Sequence, residues 1–143
     1  MKIPLHVYEF YGGLRAVVHL YVIIENKPVI IKALFDTGSP ETVITKEDII
    51  KQRISIVGLK NRGGKIKEFS FGGGIMQTLQ IDSAELKFSN EEEKVEKINM
   101  PILISINESK EPKPSLIGVD FLLKNKLKFF FDPTNKIAYF ESI

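Results

Sequence analysis

One short segment, Asp36-Thr37-Gly38-Ser39, combines residue types that can do acid–base chemistry. It follows the apolar run at residues 29–35, which predicts a buried strand, so the carboxyl group of Asp36 would be held rigidly and partly removed from water. Thr37 can form a local hydrogen bond, and Gly38 lets other backbone approach the acid closely or adopts a positive φ. The alternative is a turn that only closes the strand, since Asp-Thr-Gly occurs by chance in such a chain with a probability of about a few per cent.

Three further features accompany this segment in a particular order. They are Thr42-Val43-Ile44-Thr45 followed by a short predicted helix, a glycine-rich stretch at Gly72-Gly73-Gly74, and Leu116-Ile117-Gly118 about eighty residues after the acid. Together they resemble the retropepsin-like aspartic peptidases, the single-domain relatives of pepsin, over roughly residues 20–131. The resemblance implies one domain over residues 1–143, a closed β-barrel of the acid-protease type, and hydrolysis of peptide bonds without a metal or a cofactor.

The resemblance also implies a pair of carboxyl groups that share one proton. One activates a water molecule, and the other protonates or polarises the scissile carbonyl. Two such acids side by side do not both ionise cheaply, so their titrations are coupled. Because the sequence contains Asp-Thr-Gly once, we expect a homodimer in which Asp36 and its counterpart meet at a twofold axis and act on a peptide or protein substrate.

The four other aspartates are weaker candidates for the partner of Asp36. Asp48 suits the first turn of a helix and Asp82 lies in an alternating strand. Asp120 lies at the start of a second predicted helix, and Asp132 precedes a proline in a turn. We therefore expect the second carboxyl group to come from another copy of the chain.

The residues beside the acid take supporting roles from the same resemblance. Thr37 would bind across to the other subunit, and Gly38 would let the substrate backbone pass close by. Ser39 would donate a hydrogen bond to the Asp36 carboxylate and favour its charged form. Leu116, Ile117 and Gly118 would form the apolar-apolar-glycine motif that precedes a helix beside the site.

A glycine-rich hairpin is the second part of the expected site. Gly72, Gly73 and Gly74, flanked by Phe71 and Ile75, would form a mobile tip that closes over the substrate and excludes water. A plain glycine-rich turn is an equally good interpretation, and Gly63-Gly64 is a competing position for the tip.

Two positions depart from the retroviral pattern. Retroviral members have an acid two residues after the motif glycine and an arginine after the downstream glycine, and the two residues form an ion pair. Pro40 and Val119 stand there in this chain. Both charges are absent together, as expected when a buried pair is lost, because one buried charge alone is costly. Glu41 and Asp120 are nearby charges that offer a substitute.

Apolar residues with a two-residue period predict strands along most of the chain. They are expected at residues 14–24, 29–35, 41–44, 76–88, 98–106, 128–132 and 136–140, with loops at 90–97 and 107–114. Helices are expected after a Thr45 cap, ending near residue 52 or 53, and at residues 119–125. The ends, residues 3–10 and 137–143, would either interleave with those of a second subunit or pair as ordinary strands.

Composition excludes several other classes of protein. The net charge is +2 and basic residues are scattered, which argues against a nucleic-acid partner. The chain has no cysteine, and its two histidines have no evident third ligand, so we expect no metal site. No run spans a membrane or suits a signal peptide, and we expect a cytoplasmic protein.

Two rival functions remain open at this stage. The first is a dimeric peptide-binding or assembly module that keeps the scaffold without cleaving anything. The second is a monomeric β-barrel interaction domain in which Asp36 only occupies a surface turn.

Overall fold

The computed structural model of the chain describes residues 1–61, 64–71, 74–106 and 113–143, without the side chains of residues 69–71. It is mostly β, with 60% of the described residues in strands and 14% in helices. The strands are β1 (Lys2–Pro4), β2 (His6–Phe10), β3 (Gly13–Ile24), β4 (Lys27–Phe35), β5 (Val43–Thr45), β6 (Lys65–Phe71), β7 (Gly74–Ser89), β8 (Val95–Ser105), β9 (Ser115–Ile117), β10 (Leu127–Asp132) and β11 (Ile137–Ser142). The helices are α1 (Lys46–Ile50), α2 (Ile56–Asn61) and α3 (Val119–Asn125).

Eight strands form one large sheet in the order β2-β3-β4-β9-β5-β8-β7-β6. Strand β3 also pairs with β7, where Val22 lies opposite Leu86, so the pairings return from β7 to β3. Strand β9 lies parallel to β4, and β5 lies parallel to β8, while the other neighbours in the sheet are antiparallel. The two short parallel strands bring segments that are distant in sequence to the end of β4.

The chain ends form a second, three-stranded sheet in the order β1-β11-β10. Ile3 lies opposite Phe140 of the same chain, and β2 pairs with β3. Residues 2–4 and 137–142 therefore pair with each other within one chain, in a sheet separate from the large one.

The core forms because apolar side chains alternate along the strands. On β3, Val18, Leu20, Val22 and Ile24 are buried, while His19 and Tyr21 between them are exposed. Strand β4 follows the same rule and contributes Val29, Ile31, Ala33 and Phe35. Burying these faces fixes the register of the strands that end beside Asp36.

Some element boundaries differ from the sequence predictions. Helix α2 was not expected, because its six residues begin after a turn and carry little helical periodicity. Strand β5 begins at Val43 rather than Glu41. Thr45 does precede α1, but its hydroxyl makes no capping bond and lies 3.5 Å from the Ser115 hydroxyl instead. Among the described residues no helix is long and apolar enough to cross a membrane.

Candidate catalytic site

Asp36 follows β4 at the edge of the core. Phe35, directly before it, is buried, and its ring lies 4.4 Å from that of Phe129 and 5.0 Å from that of Phe140, measured between centroids. The backbone N–H of Asp36 donates to the carbonyl oxygen of Ile117 on β9 at 3.1 Å. The packing of Phe35 and the hydrogen bond to β9 therefore anchor the backbone at Asp36, and Asp36 itself is half-buried.

A tight turn encloses the Asp36 carboxylate. The N–H of Gly38 donates to Asp36 Oδ1 at 2.8 Å, and the N–H of Ser39 donates to the Asp36 carbonyl oxygen at 3.1 Å. A Cβ atom on Gly38 would lie 3.2 Å from Asp36 Oδ1, closer than most such contacts. Thr37 and Gly38 are exposed. The turn holds one carboxylate oxygen and presents the acid at the surface.

The downstream motif Leu116-Ile117-Gly118 packs directly against the backbone of this turn and of β4. Leu116 and Ile117 lie opposite Leu34 and Phe35 in the parallel β4–β9 pairing. A Cβ atom on Gly118 would lie 2.5 Å from the carbonyl oxygen of Glu41 and 2.7 Å from that of Ser39. Only glycine allows the two segments to pack this closely, so the spacing seen in the sequence corresponds to a direct backbone contact.

Thr42 and Asp120 link the turn to α3. Thr42 is fully buried, its hydroxyl donates to Asp120 Oδ1 at 2.8 Å, and its N–H donates to Asp120 Oδ2 at 3.0 Å. The same hydroxyl accepts a bond from the N–H of Gly118 at 3.1 Å, and Asp120 also accepts from the N–H of Phe121. Burial raises the pKa of Asp120, although the bonds from Thr42 act to lower it.

A second buried set of hydrogen bonds joins β9 to α1. The Ser115 hydroxyl is fully buried, donates to Asp48 Oδ2 at 2.7 Å, and accepts from the N–H of Thr45 at 3.0 Å. Asp48 lies in the first turn of α1, as the sequence predicted. Asp48 therefore has a structural role, which is to join α1 to β9 through Ser115.

The expected hydrogen bond from Ser39 to the Asp36 carboxylate is wrong. Ser39 is buried, and its hydroxyl donates at 2.7 Å to the carbonyl oxygen of Glu41. The reason is geometric: the turn directs the Ser39 side chain into the contact between Glu41 and Gly118. Ser39 stabilises the loop, and Gly38 provides the bond to the acid.

Backbone hydrogen bonds join the two segments at Pro40 and Val119. The N–H of Val119 donates to the carbonyl oxygen of Ser39 at 2.9 Å, and that of Asp120 donates to the carbonyl oxygen of Pro40 at 3.2 Å. Glu41 and Asp120 are both acids and do not replace the missing pair with each other. Asp120 accepts bonds from Thr42, and Glu41 pairs with Lys67. A carboxylate bound to a threonine takes over the linking role.

The remaining aspartates are also engaged away from Asp36. Asp82 accepts a hydrogen bond from Gln80 Nε2 at 3.0 Å. Asp132 accepts two bonds from Asn135 in the turn between β10 and β11, and these bonds lower its pKa. The turn interpretation of Asp132 is confirmed. Among the described residues, each aspartate considered as a partner for Asp36 accepts hydrogen bonds from other residues.

Strands β6 and β7 form the expected hairpin. They pair as far as Phe71 and Gly74, and Ile75 is 61% exposed. Gly72 and Gly73 lie outside the described residues, as does Gly63. Gly64 directly precedes β6, and a Cβ atom there would meet the Leu79 side chain, so Gly64 belongs to the base of the hairpin.

Contacts along the hairpin join it to the loop that follows the Asp36 turn. Met76 packs against a small buried pair, Val43 and Leu103. Lys67 Nζ lies 2.8 Å from Glu41 Oε1. No pattern in the sequence indicated these contacts, because they join residues that are far apart in the chain and have ordinary neighbours.

Histidine side chains lie away from the turn, on β2 and β3. The rings of His6 and His19 stack with centroids 3.8 Å apart, and the Tyr8 hydroxyl lies 2.9 Å from His19 Nε2. Within the described part of the chain, no group of three or more histidine, aspartate or glutamate residues is arranged to hold a metal ion.

Comparisons with known proteins give no family for the chain. No protein-family model matches it, and a search of curated proteins finds no match. The resemblance to retropepsin-like peptidases therefore stays a prediction, and the geometry around Asp36 is the basis for a functional proposal.

Proposed function

We propose that this chain is one subunit of a homodimeric aspartic endopeptidase in which Asp36 of each subunit supplies one of two catalytic carboxyl groups. The single observation that carries the proposal is the Asp36 turn. A half-buried acid, bound through one oxygen by the Gly38 N–H at 2.8 Å, directly precedes exposed Thr37 and Gly38 on a closely packed loop.

The support beneath the turn favours catalysis over a simple surface turn. A turn that only closed a strand would have no need of the Gly118 contact, the buried Ser39 hydroxyl or the Thr42–Asp120 bonds. Catalytic groups need such immobilisation, because a small displacement from the productive geometry costs much of the rate.

Strand pairing favours the closed barrel that belongs to this proposal. The eight-stranded sheet pairs with itself through β3 and β7, and its register places Asp36 at the end of β4. On this proposal the barrel is of the acid-protease type, the β6–β7 hairpin is the flap, and the substrate lies between the flap and Asp36.

A second copy is required by the chemistry. Three acids that bond to the segments around the turn are engaged with other residues, Asp120 with Thr42, Asp48 with Ser115 and Glu41 with Lys67. Strand β10 is an edge strand of the three-stranded sheet. Phe129 of β10 packs on Phe35 and lies beside Phe131, which is 38% exposed. Burial of such aromatic surface would favour association of two subunits.

The reaction would proceed through a water molecule held between the two Asp36 carboxyl groups. The ionised carboxylate accepts a proton from that water as its oxygen attacks the carbonyl carbon of the peptide, and the protonated carboxyl group donates to the carbonyl oxygen. The tetrahedral intermediate then collapses and its C–N bond breaks. The nitrogen receives a proton from the protonated carboxyl group, and one hydroxyl of the intermediate returns its proton to the ionised carboxylate. The pair ends with one shared proton, as it began.

The test uses an unstructured protein substrate over a pH range of about 3 to 7. We expect cleavage at acidic pH, inhibition by a pepstatin-like mimic of the tetrahedral intermediate, and no cleavage by a folded Asp36→Asn variant. Asp82→Asn makes the same chemical change at an acid outside the turn and should cleave normally. Cleavage by Asp36→Asn at the wild-type rate would refute the proposal.

Mixing the two proteins tests the shared site. Wild type is re-equilibrated with increasing Asp36→Asn protein, and activity should fall as mixed dimers replace wild-type dimers, because a mixed dimer has one carboxyl group. The native mass separates the rival functions. A monomer at every concentration favours an interaction domain, and a dimer that binds peptides without cleaving them favours a binding module.

A further inference from the structure

A salt bridge connects the β6–β7 hairpin to the loop that carries Asp36. Lys67 Nζ on β6 lies 2.8 Å from Glu41 Oε1, which is a charge-assisted hydrogen bond. The lysine side chain is 43% exposed and the glutamate side chain 34% exposed. Such a pair contributes little to global stability, so its position in the fold matters more than its strength.

The Glu41 end of the pair is rigidly attached to the Asp36 turn. The carbonyl oxygen of Glu41 accepts the Ser39 hydroxyl at 2.7 Å and lies against Gly118. The next residue, Thr42, is fully buried and bonded to Asp120. The carboxylate of Glu41 therefore projects from backbone that cannot move without moving the turn.

The Lys67 end is attached to the hairpin with similar firmness. The carbonyl oxygen of Lys67 accepts the hydroxyl of Thr78 at 2.7 Å, and Thr78 is fully buried on β7. Lys67 and Thr78 are direct neighbours across the β6–β7 pairing. A force on the Lys67 side chain is thus transmitted to both strands of the hairpin.

We infer that Lys67 and Glu41 form a latch that holds the β6–β7 hairpin against the loop following the Asp36 turn and so positions it for substrate binding. The role of the latch in catalysis rests on the proposed function. Lys67 and Glu41 are both positioning residues. Met76, packed on Val43 and Leu103, adds an apolar contact at the same place. The ionic contact is the part that ionic strength and charge substitution can release.

The test measures two independent properties of Glu41→Gln and Lys67→Met. In peptide cleavage, KM should rise by about two- to fivefold with kcat nearly unchanged, since the loss of a half-exposed pair shifts an equilibrium by that factor. Amide hydrogen exchange of the β6 segment should become faster by a similar factor. In wild type, raising the salt concentration to about 1 M should move both properties toward the variant values.

Charge reversal and a matched control make the result specific. The double variant Glu41→Lys/Lys67→Glu restores an opposite pair and should recover both KM and β6 exchange. Glu85→Gln is the matched control, because Lys87 Nζ lies 3.4 Å from Glu85 Oε1 and the two side chains are about as exposed as those of the latch. This variant should change neither KM nor β6 exchange.

The two measurements, KM in peptide cleavage and amide exchange of β6, test the latch and the peptidase proposal separately. If the wild type cleaves nothing while β6 exchange responds as described, the latch stands and the peptidase function is refuted. The latch is overturned if Glu41→Gln and Lys67→Met leave β6 exchange at the wild-type rate, or if charge reversal fails to restore it.

Discussion

A Cβ atom on Gly118 would lie 2.5 Å from the carbonyl oxygen of Glu41, so these two residues are in direct backbone contact beneath the Asp36 turn. The glycine is extended, with φ −96°, and its requirement is space alone. This contact joins the start of α3 to the loop after the acid and predicts the effect of adding a methyl group.

Gly118→Ala should destabilise the protein by about 3 kcal/mol, because a methyl group forced against backbone displaces the loop. Urea unfolding measures the loss, and any cleavage activity should fall with it. Gly13→Ala is the matched control, since its Cβ atom would meet only the flexible Arg15 side chain at 3.3 Å and should cost under about 1 kcal/mol. Equal stability of the two variants would contradict the packing argument.

Thr42→Val should cost about 2 to 4 kcal/mol of unfolding free energy. The substitution keeps the shape of the side chain but leaves the buried Gly118 N–H unpaired and removes one bond to the half-buried Asp120 carboxylate. Thr42→Ser keeps the hydroxyl and should cost much less. Urea midpoints of the two variants compare the effects, and a valine variant as stable as the serine variant would show that the hydroxyl is unimportant.

Thr37→Val should weaken dimerisation by about thirtyfold if its exposed hydroxyl bonds across the proposed twofold axis, since one net hydrogen bond is worth about 1 kcal/mol and two symmetry-related copies are lost. Sedimentation over a concentration series measures the change. Thr37→Ser retains the hydroxyl and should dimerise like the wild type. Unaltered association of the valine variant would remove Thr37 from the interface.

His19 predicts an acid-sensitive contribution to stability. Burial, His6 and Lys32 lower the pKa of His19 from 6.5 to about 4. Because the folded pKa is below the unfolded one, the contribution is complete above about pH 6.5 and is lost as pH falls toward 4. The ring is largely exposed, so after allowance for solvent screening we expect about 1 kcal/mol.

Urea unfolding between pH 7.5 and 4 provides the measurement for His19. The wild type should lose about 1 kcal/mol more over this range than His19→Gln, which has no imidazole to titrate there. Tyr8→Phe removes the bond to Nε2 at 2.9 Å without removing the imidazole, so it should retain the wild-type pH slope. Parallel curves for the wild type and His19→Gln would exclude a role for this residue.

Local pattern in the sequence was enough to predict most of the strands and the position of Asp36 directly after a buried strand. The alternating residues of β3 and β4, helix α3 at Val119–Asn125 and the turn at Asp132 all lie where the pattern places them. These elements depend on near neighbours, through side-chain period and turn chemistry, which the sequence displays directly. Helix α2 was missed because a six-residue helix is stabilised mainly by packing.

By itself, the sequence determined a mostly β chain that presents a single Asp-Thr-Gly turn after a buried strand. Only the tertiary structure decided what holds that turn: Gly118 beneath Glu41, Thr42 bonded to Asp120, Ser39 directed away from Asp36, and Lys67 paired with Glu41. The physical reason is that each of these contacts joins segments distant along the chain, and parallel pairing of β4 with β9 is what brings them within bonding distance.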